Sequence, residues 1–247
     1  MTLLIPILLG LVAGLFVDYL SDVIPVNKLF SIPVCNFCES PRKPSDYLQF
    51  KRCPKCNQPR HYRTFLVLAS LVALSILLWF MPPHQFNYLW GLILLSYLSL
   101  VFVIDTEHHL IFHKVSLVGA GLGLFTGFLV GHFVSAVLGG ISGLIFMLIF
   151  YLLGIAYGKF KNRGRNIESG EEEALGFGDV TISGVLGMLM GFSGVFLGLM
   201  TGILFAGVFS LILIVVLLIN KKFTPGNIYI PYGPFLILGS FFYIFFR

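Results

Sequence analysis

The chain of 247 residues is too apolar for a soluble domain, since 57% of its residues are hydrophobic and only 11% are charged. Its formal net charge is a modest +5, and its basic residues lie in stretches between apolar segments rather than on one face. The composition therefore argues against a nucleic-acid-binding protein and favours an integral membrane protein.

Apolar segments follow one another along the chain. The first runs from Leu3 to Ile24; it lacks the basic start and the small-residue cleavage site of a signal peptide, so we interpret it as a retained helix. After a polar stretch, seven more follow, at 64–81, 88–105, 115–131, 134–157, 178–192, 194–219 and 231–246. A helix crosses a bilayer with about 20 apolar residues, so the sequence predicts an all-α integral membrane protein with about eight transmembrane helices.

The basic residues test this count independently. Fifteen of the sixteen Lys and Arg residues fall in odd-numbered loops, and only Arg247 falls on the other side. Basic loops stay cytoplasmic, so the pattern predicts a multi-pass protein of the inner or plasma membrane with both termini outside. We expect three parts: a first transmembrane helix over 1–24, a cytoplasmic loop over 25–63, and a seven-helix membrane domain over 64–247.

Two aspartates lie where apolar segments meet the cytoplasmic side. Asp105 ends one segment, and Asp179 opens another within Gly176-Phe177-Gly178-Asp179. A lone aspartate in such a motif is most often a helix cap, but two carboxyls at membrane helix ends can share a proton and activate a water. We therefore expect Asp105 and Asp179 to be a catalytic dyad, with Gly176 and Gly178 letting the backbone approach an extended substrate.

All four cysteines lie in the predicted cytoplasmic loop, as Cys35-Asn36-Phe37-Cys38 and Cys53-Pro54-Lys55-Cys56. Two CxxC pairs at such spacing can hold a tetrahedral Zn²⁺ through four thiolates. Disulfides are the rival interpretation, which a reducing cytoplasm disfavours. We expect a structural zinc site at Cys35, Cys38, Cys53 and Cys56, because a small polar loop without a core needs its metal to fold.

Small residues recur at helical spacing in three places, which is typical of close packing between membrane helices. The sets are Gly119, Gly123, Gly127 and Gly131; Gly187 and Gly191; and Gly194, Gly198 and Gly202. Each set predicts a packing seam.

Five strings in order resemble one family, the type IV prepilin peptidases, which are leader peptidases of the GxGD aspartic class. They are the exit of the first helix (Gly14 to Pro25), the two CxxC pairs, Asp105-Thr106-Glu107-His108-His109-Leu110-Ile111, Leu175-Gly176-Phe177-Gly178-Asp179-Val180, and Ile230-Pro231-Tyr232-Gly233-Pro234-Phe235. The resemblance implies a membrane aspartic endopeptidase that removes the short basic leader of prepilins or pseudopilins at the cytoplasmic face. It identifies Asp105 and Asp179 as the catalytic pair and the cysteine loop as a zinc knuckle.

The resemblance also implies a second activity, methylation of the new N-terminus with S-adenosylmethionine, for which the residues carry no signal of their own. The chain departs from the family pattern at Thr181, where a Lys is usual, and at Phe112-His113, where Pro-Asp is usual. Asp18 stands where an Asn is common, and Val23 replaces the usual basic residue before Pro25.

Two alternatives stay open. One is a presenilin-like GxGD protease that cuts within the bilayer, which the cysteine loop disfavours. The other is a non-enzymatic membrane assembly factor or transporter with a zinc-bound loop. A transporter is disfavoured because the sequence lacks inverted repeats with charged or broken mid-membrane helices.

Overall fold

The computed structural model describes residues 3–27, 35, 38, 40, 51–57, 62–108, 113–161, 176–220 and 231–246. Within these ranges the secondary structure is helical. The helices are α1 (Leu4–Asn27), α2 (Tyr62–Phe80), α3 (Tyr88–His108), α4 (His113–Leu129), α5 (Phe133–Lys161), α6 (Phe177–Ile219) and α7 (Gly233–Phe245).

The helices coincide with the predicted apolar segments. Among the described residues, five are long and apolar enough to cross a membrane: α1, α2, α3, α5 and α6. The two others, α4 and α7, are shorter and also apolar. The all-α fold is therefore confirmed for the part of the chain that the structure describes, and several of its helices indicate a multi-pass membrane protein. The total of eight spans stays a prediction.

Helix α6 is interrupted at Gly191, whose φ of 69° and ψ of 172° are not helical. A Cβ built on Gly198 would collide with the side chain of Met190, eight residues earlier, although such residues lie about 12 Å apart along a straight helix. The chain therefore folds back at Gly191, close to the boundary that the sequence predicts between the segments 178–192 and 194–219. Glycine suits this position because a positive φ strains other residues.

The chain divides into two compact units, Met1–His108 and His109–Arg247. In the first unit, α1 packs on both α2 and α3. Gly10 and Gly14 allow α1 to approach the backbone of α2 closely, at Val72 and Leu68. The buried hydroxyl of Ser75 on α2 donates a 2.7 Å hydrogen bond to the carbonyl of Pro6. This bond satisfies two polar groups where hydrocarbon could not.

In the second unit, α6 packs against α4, α5 and α7. Gly187 and Gly139 face each other so closely that a Cβ on either would overlap the carbonyl oxygen of the other. Gly202 and Gly239 also bring α6 and α7 together, since a Cβ on Gly239 would overlap the Gly202 backbone and a Cβ on Gly202 would overlap the backbone of Leu236. These contacts confirm packing seams at Gly187 and Gly202, because only glycine permits such backbone approach.

Two glycines of the predicted seams make turns. Gly131 has a φ of 75° and open space around its Cβ position. It follows the end of α4, where the His132 N–H donates to the Gly127 carbonyl at 2.9 Å. Gly191 is the second, and it also packs closely on α5, since a Cβ on Gly139 would collide with the Gly191 backbone. The prediction of a seam was therefore wrong at Gly131 and holds at Gly191, because a helical repeat of small residues does not distinguish packing from termination.

We expect Gly187→Ala to weaken the second unit, by about 1–3 kcal/mol in the free energy of unfolding, since the added methyl has no space. Gly207→Ala is the matched control, because a Cβ there meets nothing within 4 Å. It should leave stability unchanged or raise it by up to about 1 kcal/mol. Unfolding of the purified protein in mild detergent measures both, and equal stability of the two variants would contradict the seam.

Candidate active site and metal centre

Asp105 lies in the last turn of α3, after an unbroken apolar run. It is only 4% exposed, although neighbouring Thr106 and Glu107 face outward. Thr106 donates its hydroxyl to the Phe102 carbonyl at 2.7 Å, which satisfies this side chain within the helix. A buried carboxyl at the end of an apolar helix fits the prediction of a functional residue.

Asp179 lies in the first turn of α6 and is 6% exposed. Its backbone N–H donates to the Gly176 carbonyl at 3.0 Å, and its carbonyl accepts a 2.6 Å hydrogen bond from the buried hydroxyl of Ser183. Thr181 donates to the Gly178 carbonyl at 2.8 Å, and its hydroxyl lies 3.3 Å from that of Ser116 on α4. The first turn of α6 is therefore held by its own hydroxyl groups and by α4.

Gly176 precedes α6 in an extended conformation, with φ of −75° and ψ of 142°. Gly178 belongs to the helix. Neither has a positive φ, in contrast to Gly131 and Gly191. Backbone conformation therefore does not require glycine at these two positions, and the lack of a side chain beside Asp179 is what distinguishes them.

The structure brings the four cysteines together. Their sulfur atoms all lie within 4.8 Å of one another, with Cys35 Sγ 3.6 Å from Cys56 Sγ and Cys38 Sγ 3.6 Å from Cys53 Sγ. A disulfide would place two sulfurs at about 2.05 Å, and all four cysteines are free. Four thiolates around Zn²⁺ at about 2.3 Å stand roughly 3.8 Å apart, so this arrangement fits a zinc ion well.

Local hydrogen bonds prepare two of these thiols to bind a metal. The backbone N–H of Cys56, followed by the Ser40 hydroxyl, lowers the pKa of Cys53 from 9.0 to about 5. The Ser40 hydroxyl, 3.0 Å from Cys38 Sγ, likewise lowers the pKa of Cys38. Metal-bound cysteine is a thiolate, so donors that stabilise the thiolate favour coordination.

A charged cluster in the first unit surrounds Arg63, in the first turn of α2. Its Nη1 contacts Asp22 Oδ1 at 2.9 Å and Glu107 Oε2 at 3.0 Å, and its Nη2 lies 3.8 Å from Asp18 Oδ1. Nη2 also donates to the Ser21 hydroxyl. We call Asp18, Asp22, Arg63 and Glu107 the Arg63 cluster.

Sequence reasoning missed this cluster. The i,i+4 spacing of Asp18 and Asp22 predicts one helix face, and their shared contact with Arg63 agrees with it. In the sequence, however, Arg63 is one of eight basic residues in the first loop. No spacing rule singles it out, because its partners come from two other helices, α1 and α3.

The proposed catalytic aspartates belong to different units, Asp105 to the first and Asp179 to the second. Some predicted strings fall partly outside the described residues. The positions outside are Asn36 and Phe37, the range 109–112, Leu175 and Ile230. The last motif opens α7, which begins at Gly233 directly after Tyr232.

Comparison with known families identifies the class of protein. The model of the Type IV leader peptidase family matches residues 92–215, about half of the chain. The matched region contains both Asp105 and Asp179 and ends before α7. The chain belongs to the type IV leader peptidase family, as the resemblance of its motifs predicts. No curated protein and no solved structure was found to match the chain.

We expect Cys35→Ser and Cys56→Ser each to lower bound zinc from about one ion per chain and to unfold the cysteine loop. Structural zinc contributes roughly 10–16 kcal/mol of apparent binding free energy in small zinc-binding peptides, so the loop should not survive its loss. Lys55→Ser is the matched control, because Lys55 is exposed between two cysteines and offers no thiolate. Elemental analysis together with limited proteolysis measures the outcome, and full zinc content in both cysteine variants would contradict the assignment.

Proposed function

We propose that the protein is a membrane aspartic endopeptidase that removes the short basic leader of type IV prepilin-like proteins at the cytoplasmic face. One observation carries the proposal: the leader peptidase match spans two aspartates that are both buried at ends of apolar helices. Burial of an ionisable carboxyl beside a membrane is costly, so two such residues within a peptidase match favour a role in catalysis.

Hydrolysis by Asp105 and Asp179 needs no covalent intermediate. One carboxylate takes a proton from a water, which attacks the scissile carbonyl while the other, protonated carboxyl polarises the carbonyl oxygen. The carboxyl that polarised the carbonyl oxygen then gives its proton to the leaving amine. Gly176 and Gly178, which bear no side chain beside Asp179, would leave room for the extended backbone of the substrate.

The helix ends favour one division of roles. Asp179 lies in the first turn of α6, where the helix dipole stabilises a negative charge, whereas Asp105 lies in the last turn of α3, where it does not. We therefore assign Asp179 as the general base and Asp105 as the carboxyl that begins the reaction protonated.

The cysteine loop has a structural part in this proposal. Cys35, Cys38, Cys53 and Cys56 would hold a zinc ion, which supplies the cross-link that folds a polar segment without an apolar core. The reaction itself uses the two carboxyl groups.

Two finer points rest on the resemblance alone. The first is the cleavage position, which is after a Gly that precedes a hydrophobic helix in a prepilin or pseudopilin. Methylation of the new N-terminus with S-adenosylmethionine is the other. Membership of a leader peptidase family supports the peptidase over a presenilin-like protease or an assembly factor.

We expect Asp105→Asn and Asp179→Asn each to abolish leader removal without loss of membrane insertion. An amide of equal size preserves packing but can neither accept nor share the catalytic proton, so activity should fall by at least about 100-fold. Asp46→Asn makes the same chemical change between the cysteine pairs and is the control. Processing is measured by co-expression with a prepilin, and wild-type cleavage by either variant at normal expression would contradict the dyad.

The dyad also determines the pH profile. Catalysis requires one carboxyl ionised and the other protonated, so the rate should fall on both sides of an optimum. A peptidase assay in detergent across pH measures this profile, with a serine-directed acylating agent as a second probe. Activity that rises steadily to high pH, or that the reagent blocks, would mean that another residue performs the chemistry.

A further inference from the structure

Arg63 lies where the dipole of its own helix disfavours a positive charge. The N-terminal turn of a helix carries a partial positive charge, which disfavours a cation in the first turn of α2. Glu107 is placed equally badly, because the last turn of α3 disfavours an anion. The two side chains contact each other at 3.0 Å, so each compensates the other.

The contacts of Arg63 extend beyond a single ion pair. Its side chain is 16% exposed and reaches Asp22, whose side chain is 9% exposed, and Asp18, whose side chain is fully buried. The Ser21 hydroxyl, which accepts from Nη2, donates to the Asp18 carbonyl at 2.9 Å. One guanidinium therefore links the C-terminal half of α1, the start of α2 and the end of α3.

The part of α3 that Arg63 holds is the turn that carries Asp105. Glu107 follows Asp105 by two residues in this turn, beyond which the described chain stops at His108. Arg63 also follows the last cysteine, Cys56, by only seven residues. Arg63 therefore lies shortly after the cysteines in the sequence and contacts the end of α3 through Glu107.

We propose that Arg63 is a positioning residue for Asp105, fixing the last turn of α3 against α1 and α2 through Glu107, Asp22 and Asp18. The inference rests on the proposed function, since it assigns Asp105 to the chemistry. A planar guanidinium with several N–H donors can bind carboxylates from two helices at once, which a lysine ammonium on a flexible stem does far less well.

The kinetic test compares Arg63→Lys and Arg63→Gln with Arg52→Gln, which removes an exposed arginine from the cysteine loop. Misplacing a catalytic group by about 1 Å can lower the rate about 100-fold, so we expect Arg63→Gln to reduce kcat on that scale with KM little changed. Arg63→Lys should recover only part of the loss. Arg52→Gln should match the wild type.

A double variant at Arg63 and Glu107 distinguishes a positioning role from general damage to the fold. If Arg63 acts through Glu107, then Arg63→Gln combined with Glu107→Gln should lower kcat no further than Arg63→Gln alone. Zinc content should stay at the wild-type level in all these variants. Additive losses, a change confined to KM, or full activity of Arg63→Gln would each overturn the proposal.

Hydrogen exchange makes the inference independent of the activity. Backbone amides of 104–108 should exchange at least about ten times faster in Arg63→Gln than in the wild type, because the last turn of α3 loses its contact with Arg63. In Arg52→Gln their exchange rates should equal those of the wild type. If no prepilin is cleaved by the wild type, the proposed function fails, while faster exchange would still show that Arg63 holds this turn. Unchanged exchange in Arg63→Gln overturns the positioning role whatever the substrate.

Discussion

Burying a carboxyl away from water costs free energy, and this cost determines which partners the buried aspartates of the chain need. Asp18, Asp105 and Asp179 are almost entirely buried, Asp18 within α1 and the other two at the ends of apolar helices. An ionised group in such a place needs a cation, a hydrogen-bond donor or a proton as its partner. For Asp18 the structure supplies the guanidinium of Arg63. For the two proposed catalytic residues, the same constraint is what suits them to hold and exchange a proton.

The scaffold meets a second requirement of the bilayer, which is close packing without a hydrophobic driving force between helices. Glycine seams at Gly139 with Gly187 and at Gly202 with Gly239 let α6 approach α5 and α7 at backbone distance. The fold-back at Gly191 returns α6 on itself. These features keep α6, which carries Asp179 in its first turn, within a packed unit, so the carboxyl lies on a helix rather than on a loop.

Much of this could be predicted from the sequence, because in a membrane protein hydropathy and charge determine the elements directly. The helix ranges follow the apolar runs, and the end of the segment 178–192 anticipates the turn at Gly191. The spacing of the cysteines predicted one four-sulfur cluster, which the sulfur distances support over disulfides. The Arg63 cluster could not be predicted, since it depends on how three helices pack. The segment ends predicted breaks near Gly131 and Gly191, but the glycine spacing alone did not show that these two residues have positive φ, because the same spacing is typical of a packing seam.

The central claim is that the protein hydrolyses one peptide bond in a prepilin-like substrate. Intact-mass measurement of such a substrate, incubated in phospholipid with purified zinc-loaded protein, tests it most directly. The account predicts loss of the mass of the leader, with two products that together equal the substrate plus one water. A substrate that keeps its full mass beside folded, zinc-loaded protein, with a panel of prepilins and pseudopilins tried, would contradict it.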